Sequence, residues 1–141
     1  MSTILIKNAT LINEGSQKVQ DVFIVDQFIQ AIGVNLDYKA DQIIDATGKH
    51  LIPGLIDDQV HFREPGITHK ATIASESRAA VAGGITSFIE MPNTNPQTTD
   101  IEALENKFKR AGETSLANYS FMFGGTNDNI AEIRKLDKTK V

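Results

Sequence analysis

The sequence predicts an α/β protein in two parts, a β-rich stretch over residues 1–52 and the opening of a parallel β/α array over residues 53–141. Three observations carry that prediction. Short β-branched runs separated by turn residues, with no helical period, fill the first part. Beyond residue 53, strand-like and helix-like segments alternate every roughly 30 to 35 residues, as in parallel β/α units. The stretch 53–63 joins the two parts with no linker composition and reads as a buried strand.

Each element has its own cause. Residues 3–13 are β-rich, and Asn13-Glu14-Gly15 supplies turn chemistry. Residues 21–25 and 28–32 flank Asp26-Gln27 and predict a hairpin, although Gln is poorly suited to positive φ. Residues 42–45 form a short strand, and residues 46–49 turn into the next one. Together these predict a small β-sandwich or open sheet.

The alanine-rich residues 69–84 predict a helix closed by Gly83-Gly84, a pair that can supply a left-handed cap. Residues 85–91 follow as a strand. Thr98, Thr99 or Asp100 can cap a helix over 101–111, where Leu104 and Phe108 share a face. A strand over 119–123 and a last helix, capped by Thr126 or Asn127 and ending near Lys135, complete three units. A closed (β/α)8 barrel takes eight units and about 250 residues, so the array would stop early with two exposed apolar edges.

Composition excludes several classes. With 141 residues, 40% of them hydrophobic, the chain can bury one modest core. A net charge of -4 and a pI near 5.3 argue against nucleic acid and anionic membrane as partners. The absence of cysteine removes disulfides and thiolate metal sites. No apolar run approaches the roughly 20 residues of a membrane span and no signal segment is visible, so a cytoplasmic location is expected.

Chemistry concentrates in residues 53–63. Side chains alternate along a strand, so Asp57, Gln59, His61 and Arg63 would share one face, with the last three at the C-terminal end, where β/α barrels place their functional groups. A histidine there can bind zinc, and zinc lowers the pKa of bound water to about 7. Arg63 carries a planar guanidinium suited to bidentate capture of a carboxylate; its plain alternative is an ion pair with Glu64, Glu90 or another acid. Asn93, in Met91-Pro92-Asn93-Thr94-Asn95-Pro96, would end the next barrel strand; its plain alternative is an Asx turn. His50 and His69 read as surface or capping residues. Asp57 reads as a group that bonds backbone or orients a ligand, and Asp58 as structural. Gly124-Gly125 is a strand-to-helix turn without a phosphate-loop ending, and Lys107, Lys109 and Arg110 form a basic helix end that needs no partner.

Asp57, Gln59, His61, Arg63 and the following Glu64-Pro65-Gly66, with the Met91-Pro92-Asn93-Thr94 run, resemble the dihydroorotases of the amidohydrolase superfamily. The usual family pattern is Asp-x-His-x-His-x-Arg, so Gln59 stands where a histidine is expected. Hydantoinases generally lack the Phe-Arg-Glu-Pro-Gly continuation, and allantoinases lack both the arginine and Met-Pro-Asn-Thr. The resemblance implies the start of a metal-dependent TIM barrel preceded by part of a composite β-sandwich. It implies His61 as a zinc ligand, with the number of ions open, and Arg63 and Asn93 as holders of the substrate carboxylate.

The resemblance further implies that metal-activated hydroxide attacks the ring amide of dihydroorotate, an aspartate moving the proton to the leaving nitrogen. The reverse reaction closes N-carbamoyl-aspartate in pyrimidine biosynthesis. That aspartate and the remaining ligands belong to later strands, so no catalytic residue is expected here and the 141 residues are expected to be the inactive N-terminal part of such an enzyme. For Gln59 three readings stay open: a single-metal enzyme, a weak or water-mediated ligand, or a metal-free relative. The alternatives for the whole are a noncatalytic dihydroorotase-like subunit binding a pathway partner, another cyclic amidohydrolase of hydantoinase or allantoinase type, or a small β/α domain pairing its edges with another copy or subunit.

Overall fold

The computed structural model describes residues 1–139, so the last two residues of the expected 53–141 segment lie outside the described residues. The chain divides into two compact units, Met1–Pro53 and Gly54–Val141.

The first unit is a five-stranded sheet. Strands β1 (Thr3–Asn13), β2 (Ser16–Val25), β3 (Phe28–Gly33) and β4 (Gln42–Asp45) run in the order β3-β2-β1-β4, and the short β5 (His50–Leu51) also pairs with β1. The β1-β2 turn puts Glu14 and Gly15 at positive φ, the two-residue geometry that matches strand twist. In the β2-β3 turn Asp26 takes positive φ, at 52°, so Gln27 is spared the conformation it disfavours. The register of β1 on β2 shifts between Ile6 and Ala9, where Asn8 has a φ of 60°. Leu5, Ala9, Val22, Phe23 and Ala46 are buried, and Phe23 stacks on Tyr38 with centroids 4.4 Å apart.

The second unit is a parallel three-stranded sheet with helices in the connections. Strand β6 (Leu55–Val60) pairs with β7 (Ile85–Glu90), and β7 with β8 (Asn118–Phe121). Helices α1 (Ile73–Ala82) and α2 (Ile101–Thr114) link them, and α3 (Ile130–Lys135) follows β8. Gly54 lies so close to Thr86 that any side chain there would collide, which fixes the start of β6 against β7.

Several boundaries differ from the sequence expectation, each for a local reason. Helix α1 starts at Ile73 and not His69, because Thr72 and Ser75 form a reciprocal capping box. It ends at Gly83, and Gly84 takes the left-handed φ of 90°. Asp100 caps α2 by accepting from the Ala103 N–H at 2.7 Å, and the helix runs three residues past the expected Ala111. The last helix begins after Asn129 rather than Thr126 or Asn127; Asn129 instead accepts from the Thr126 N–H at 2.8 Å and donates to the Thr99 and Gly124 carbonyls.

The core of this unit is Phe62, Ile73, Phe88, Leu104, Ala111, Ala117 and Phe121. Phe62 meets Phe88 at 4.4 Å and Phe108 meets Phe121 edge-on at 5.0 Å between centroids. Strand β6 is an edge strand, so its expected burial does not hold: Ile56 is 70% exposed and Leu55 51%. Among the described residues no helix is long and apolar enough to cross a membrane.

Candidate functional site

The motif segment is shorter as a strand than alternation alone predicts. Regular pairing ends at Val60, so His61, Phe62 and Arg63 lie just past the strand in irregular backbone. Between the pairs Asp57–Phe88 and Val60–Glu90, three residue steps on β6 face two on β7. Phe88 and Glu90 are both buried on one face of β7, which puts Asp57 on the same face as Val60. The expected common face for Asp57, Gln59, His61 and Arg63 is therefore broken. The physical reason is the bulge, where the Asp57 carboxylate accepts from the Gln59 N–H at 3.1 Å.

Past the strand, Phe62 enters the core while His61 stays exposed and Arg63 half-buried. Arg63 takes a φ of 68°, a left-handed conformation rare outside glycine, and its carbonyl accepts from the Ile67 N–H at 3.0 Å. The turn that follows closes on the other motif. Gly66, at a φ of 83°, packs so tightly on the Asn95 backbone that a Cβ would overlap it, and the Pro65 carbonyl accepts from the Asn95 N–H at 3.1 Å. Glycine is thus required for the Glu-Pro-Gly turn to meet the Met-Pro-Asn-Thr segment.

That contact delivers His61 to Asn93, whose Oδ1 lies 3.0 Å from the imidazole Nδ1. The amide oxygen only accepts, so in this contact the imidazole donates from Nδ1. The Asx turn considered for Asn93 is not what its oxygen makes. Nor does Arg63 pair with either nearby acid. Glu64 accepts from the Ile73 N–H at 2.9 Å and pairs with Arg110 at 3.3 Å, and Glu90 pairs with Lys107 at 2.7 Å. Both acids are occupied, and the Arg63 guanidinium has no carboxylate partner among the described residues.

Sequence reasoning missed Glu90 and Lys107. The helix end it assigned to Lys107 and Arg110 is mid-helix, and both have carboxylate partners. Glu90 and Lys107 are each only 1% exposed. Burial raises the Glu90 pKa, opposed first by Lys107 and then by the Phe62 and Arg63 backbone amides; burial also lowers that of Lys107, opposed by Glu90. The missed signal was positional, since Lys107 lies on the apolar stripe of Leu104 and Ala111.

The remaining candidates take minor places. His50 lies in β5 and His69 in a turn, both exposed, and Asp58 is exposed. Zinc sites need three or four nitrogen, oxygen or sulfur ligands. Among the described residues no group of three or more His, Cys, Asp or Glu could hold an ion. His61 offers one nitrogen, and exposed Gln59 offers a neutral amide oxygen, a weak zinc partner. These residues by themselves do not fit zinc.

Comparison with known proteins gives the same outline. Residues 48–132 match the family described as dihydro-orotase-like. A dihydroorotase of Streptococcus pyogenes serotype M3 is 41% identical over 119 residues, covering 83% of this chain and 28% of that protein. An allantoinase of Salmonella choleraesuis is 38% identical over 139 residues, 98% of this chain and 30% of its own length. Among solved structures, the L-hydantoinase (dihydropyrimidinase) of Arthrobacter aurescens superposes with a TM-score of 0.90 at 34% identity, over 96% of this chain and 30% of that one. The chain thus spans less than a third of the length of these relatives.

Proposed function

The chain belongs to the dihydro-orotase-like family, and from that premise we propose that it supplies the carboxylate-holding corner of a dihydroorotase. Its relatives are cyclic amidohydrolases. The reaction in question adds water across the ring amide of dihydroorotate: the ring C–N bond breaks, the carbon gains the water oxygen and the nitrogen gains a proton, giving N-carbamoyl-aspartate. Arg63 grips the substrate carboxylate and Asn93, held by His61, offers its amide N–H groups to the same ligand.

The observation that carries this reading is the Arg63 guanidinium, without a carboxylate partner among the described residues and two residues from His61, with Glu64 and Glu90 both engaged elsewhere. A half-buried arginine without a carboxylate is poised to take one from a ligand. Hydantoinase- and allantoinase-type relatives make another cyclic amide the competing substrate. Dihydroorotate differs from dihydrouracil by the carboxylate alone, so that pair isolates the contribution of Arg63.

Titration calorimetry of the 141-residue chain with dihydroorotate and dihydrouracil tests it. Dihydroorotate binds more tightly, and Arg63→Gln removes that preference, weakening dihydroorotate roughly 10- to 100-fold, the size of a charge-assisted hydrogen bond. Equal affinity for the two ligands would sink the carboxylate reading. No hydrolysis is expected from the chain alone, and measurable turnover would overturn that part.

A second reading, a noncatalytic dihydroorotase-like subunit that binds a pathway partner, is favoured by Gln59, which stands where the family pattern has a histidine. Zinc analysis of the full-length protein, with and without Gln59→His, separates the two. Stoichiometric zinc in the unsubstituted protein would count against the noncatalytic reading.

A further inference from the structure

We propose that Glu90 and Lys107 form a positioning bracket that fixes the segment bearing His61 and Arg63 at its working distance from the segment bearing Asn93. The inference deepens the carboxylate-holding reading and rests on it for its functional meaning.

The pair stands between the two segments. Glu90 is the last residue of β7, immediately before the Met-Pro-Asn-Thr run, and Lys107 reaches it from the second turn of α2 with Nζ 2.7 Å from Oε2. The same ammonium donates to the Met91 carbonyl at 3.2 Å, two residues before Asn93. On the other side, the backbone N–H groups of Phe62 and Arg63 act on the Glu90 carboxylate. The pair therefore bonds the backbone of the Asn93 segment directly and reaches the His61 segment through the strand pairing beside it. The backbone bonds from Met91 N–H to the Val60 carbonyl at 3.0 Å and from Met122 N–H to the Glu90 carbonyl at 2.9 Å bring the three strand ends together around it.

Three features indicate positioning more than packing. Among the described residues neither Glu90 oxygen has a hydrogen bond of full geometry, so the carboxylate is held by the charge of the Lys107 ammonium 2.7 Å away. Both partners are 1% exposed, and Lys107 lies 5.0 Å from the Phe121 ring centroid, so neither group can relax into water without opening the core. Arg63 is held in a left-handed conformation, rare outside glycine, three residues beyond Val60, whose carbonyl accepts from the Met91 N–H at 3.0 Å. An apolar pair of the same volume would fill the space but exert no such pull.

The test is NMR of the whole chain, comparing Glu90→Asp, the charge-free Glu90→Gln/Lys107→Met double variant, and Leu104→Ala as a packing control in the same unit. Glu90→Asp keeps the charge and withdraws it by one methylene, so it stays informative if the double variant does not fold. The expected result is a shift of the Phe62 and Arg63 amide protons, together with the His61 ring nitrogens, in both pair variants, and little change at those atoms in Leu104→Ala. Unchanged Phe62, Arg63 and His61 signals in Glu90→Asp would overturn the bracket, as would equal shifts in Leu104→Ala.

Calorimetry then separates this inference from the reading beneath it. Loss of the dihydroorotate preference in the pair variants, by about tenfold or more, supports the bracket. A preference that depends on Arg63 but persists in folded pair variants overturns it. An unsubstituted chain with no preference fails the carboxylate reading instead, while the His61 and amide signals still decide whether the bracket exists.

Discussion

Each of the two units pairs a buried carboxylate with a lysine, and the pKa values of the two carboxyl groups move in opposite directions. In the β-rich unit, Asp21 is 3% exposed and accepts from Lys7 Nζ at 2.6 Å, from the Asn8 N–H at 2.7 Å and from the Leu36 N–H at 2.9 Å. Its carboxyl is held below the usual range, chiefly by Lys7 and then by the Asn8 amide, and Lys7 itself is 28% exposed. In the β/α unit, Glu90 has its lysine but no completed hydrogen bonds, both partners are fully buried, and its pKa rises. The difference teaches that a counter-charge alone does not offset desolvation. Donors aimed at the remaining lone pairs, and one partner kept in contact with water, decide the sign.

The largest expected effect comes from breaking the drier pair. Lys107→Met leaves Glu90 buried without a partner and costs about 3 to 5 kcal/mol, read as faster hydrogen exchange across β7 and α2. A change under about 1 kcal/mol would mean that Glu90 is already neutral in the folded chain. Next, Asp21→Asn retains the shape but removes the charge from three donors and costs about 1.5 to 3 kcal/mol, read in the β1 and β2 amides. A result below that range would equate the two pairs and remove the contrast.

Acid sharpens the comparison because its sign differs between the units. Asp21 has a folded pKa below its unfolded value of about 4. Its contribution is therefore full above that unfolded value and disappears as pH falls through the lower folded value. The β1–β2 amides should lose protection in that window, and Lys7→Met should shrink the loss, Lys7 being the first cause of the depression. Glu90, with its raised pKa, contributes no such loss in the same window. The smallest effect belongs to Asp100→Ala at the start of α2, about 1 kcal/mol from a lost cap. That would show the helix tolerating change at its end while Lys107, in its second turn, does not.

The elements that could be read in the sequence are those with local causes. The capping carboxylate of Asp100, the glycine pair after α1 and the β-branched runs of β1 and β4 all act over a few residues, and each lies where the sequence puts it. The mixed α/β architecture, with parallel β6, β7 and β8 linked by α1 and α2, follows from the same periodicities. Where the reading failed, a neighbour outside the local window intervened. Alternation along residues 53–63 could not foresee the bulge at Asp57–Val60, because its register is set by β7. Treating Lys107 as a solvated helix end ignored Glu90, seventeen positions earlier in sequence and buried in the adjacent strand.

Residue types, their spacing and their short-range turn and cap chemistry by themselves determined the strand–helix alternation and the motif positions of Gln59, His61, Arg63 and Asn93. Only the tertiary structure decided which of those groups meet. The hydrogen bond between His61 and Asn93 and the pairing of Glu64 with Arg110 join residues from different β/α units, and the pairing of Glu90 with Lys107 joins a strand end to the helix that follows it. The physical reason is range: a cap or a turn is settled among neighbours along the chain, whereas the partner of a buried charge is whichever opposite charge the closed core brings against it.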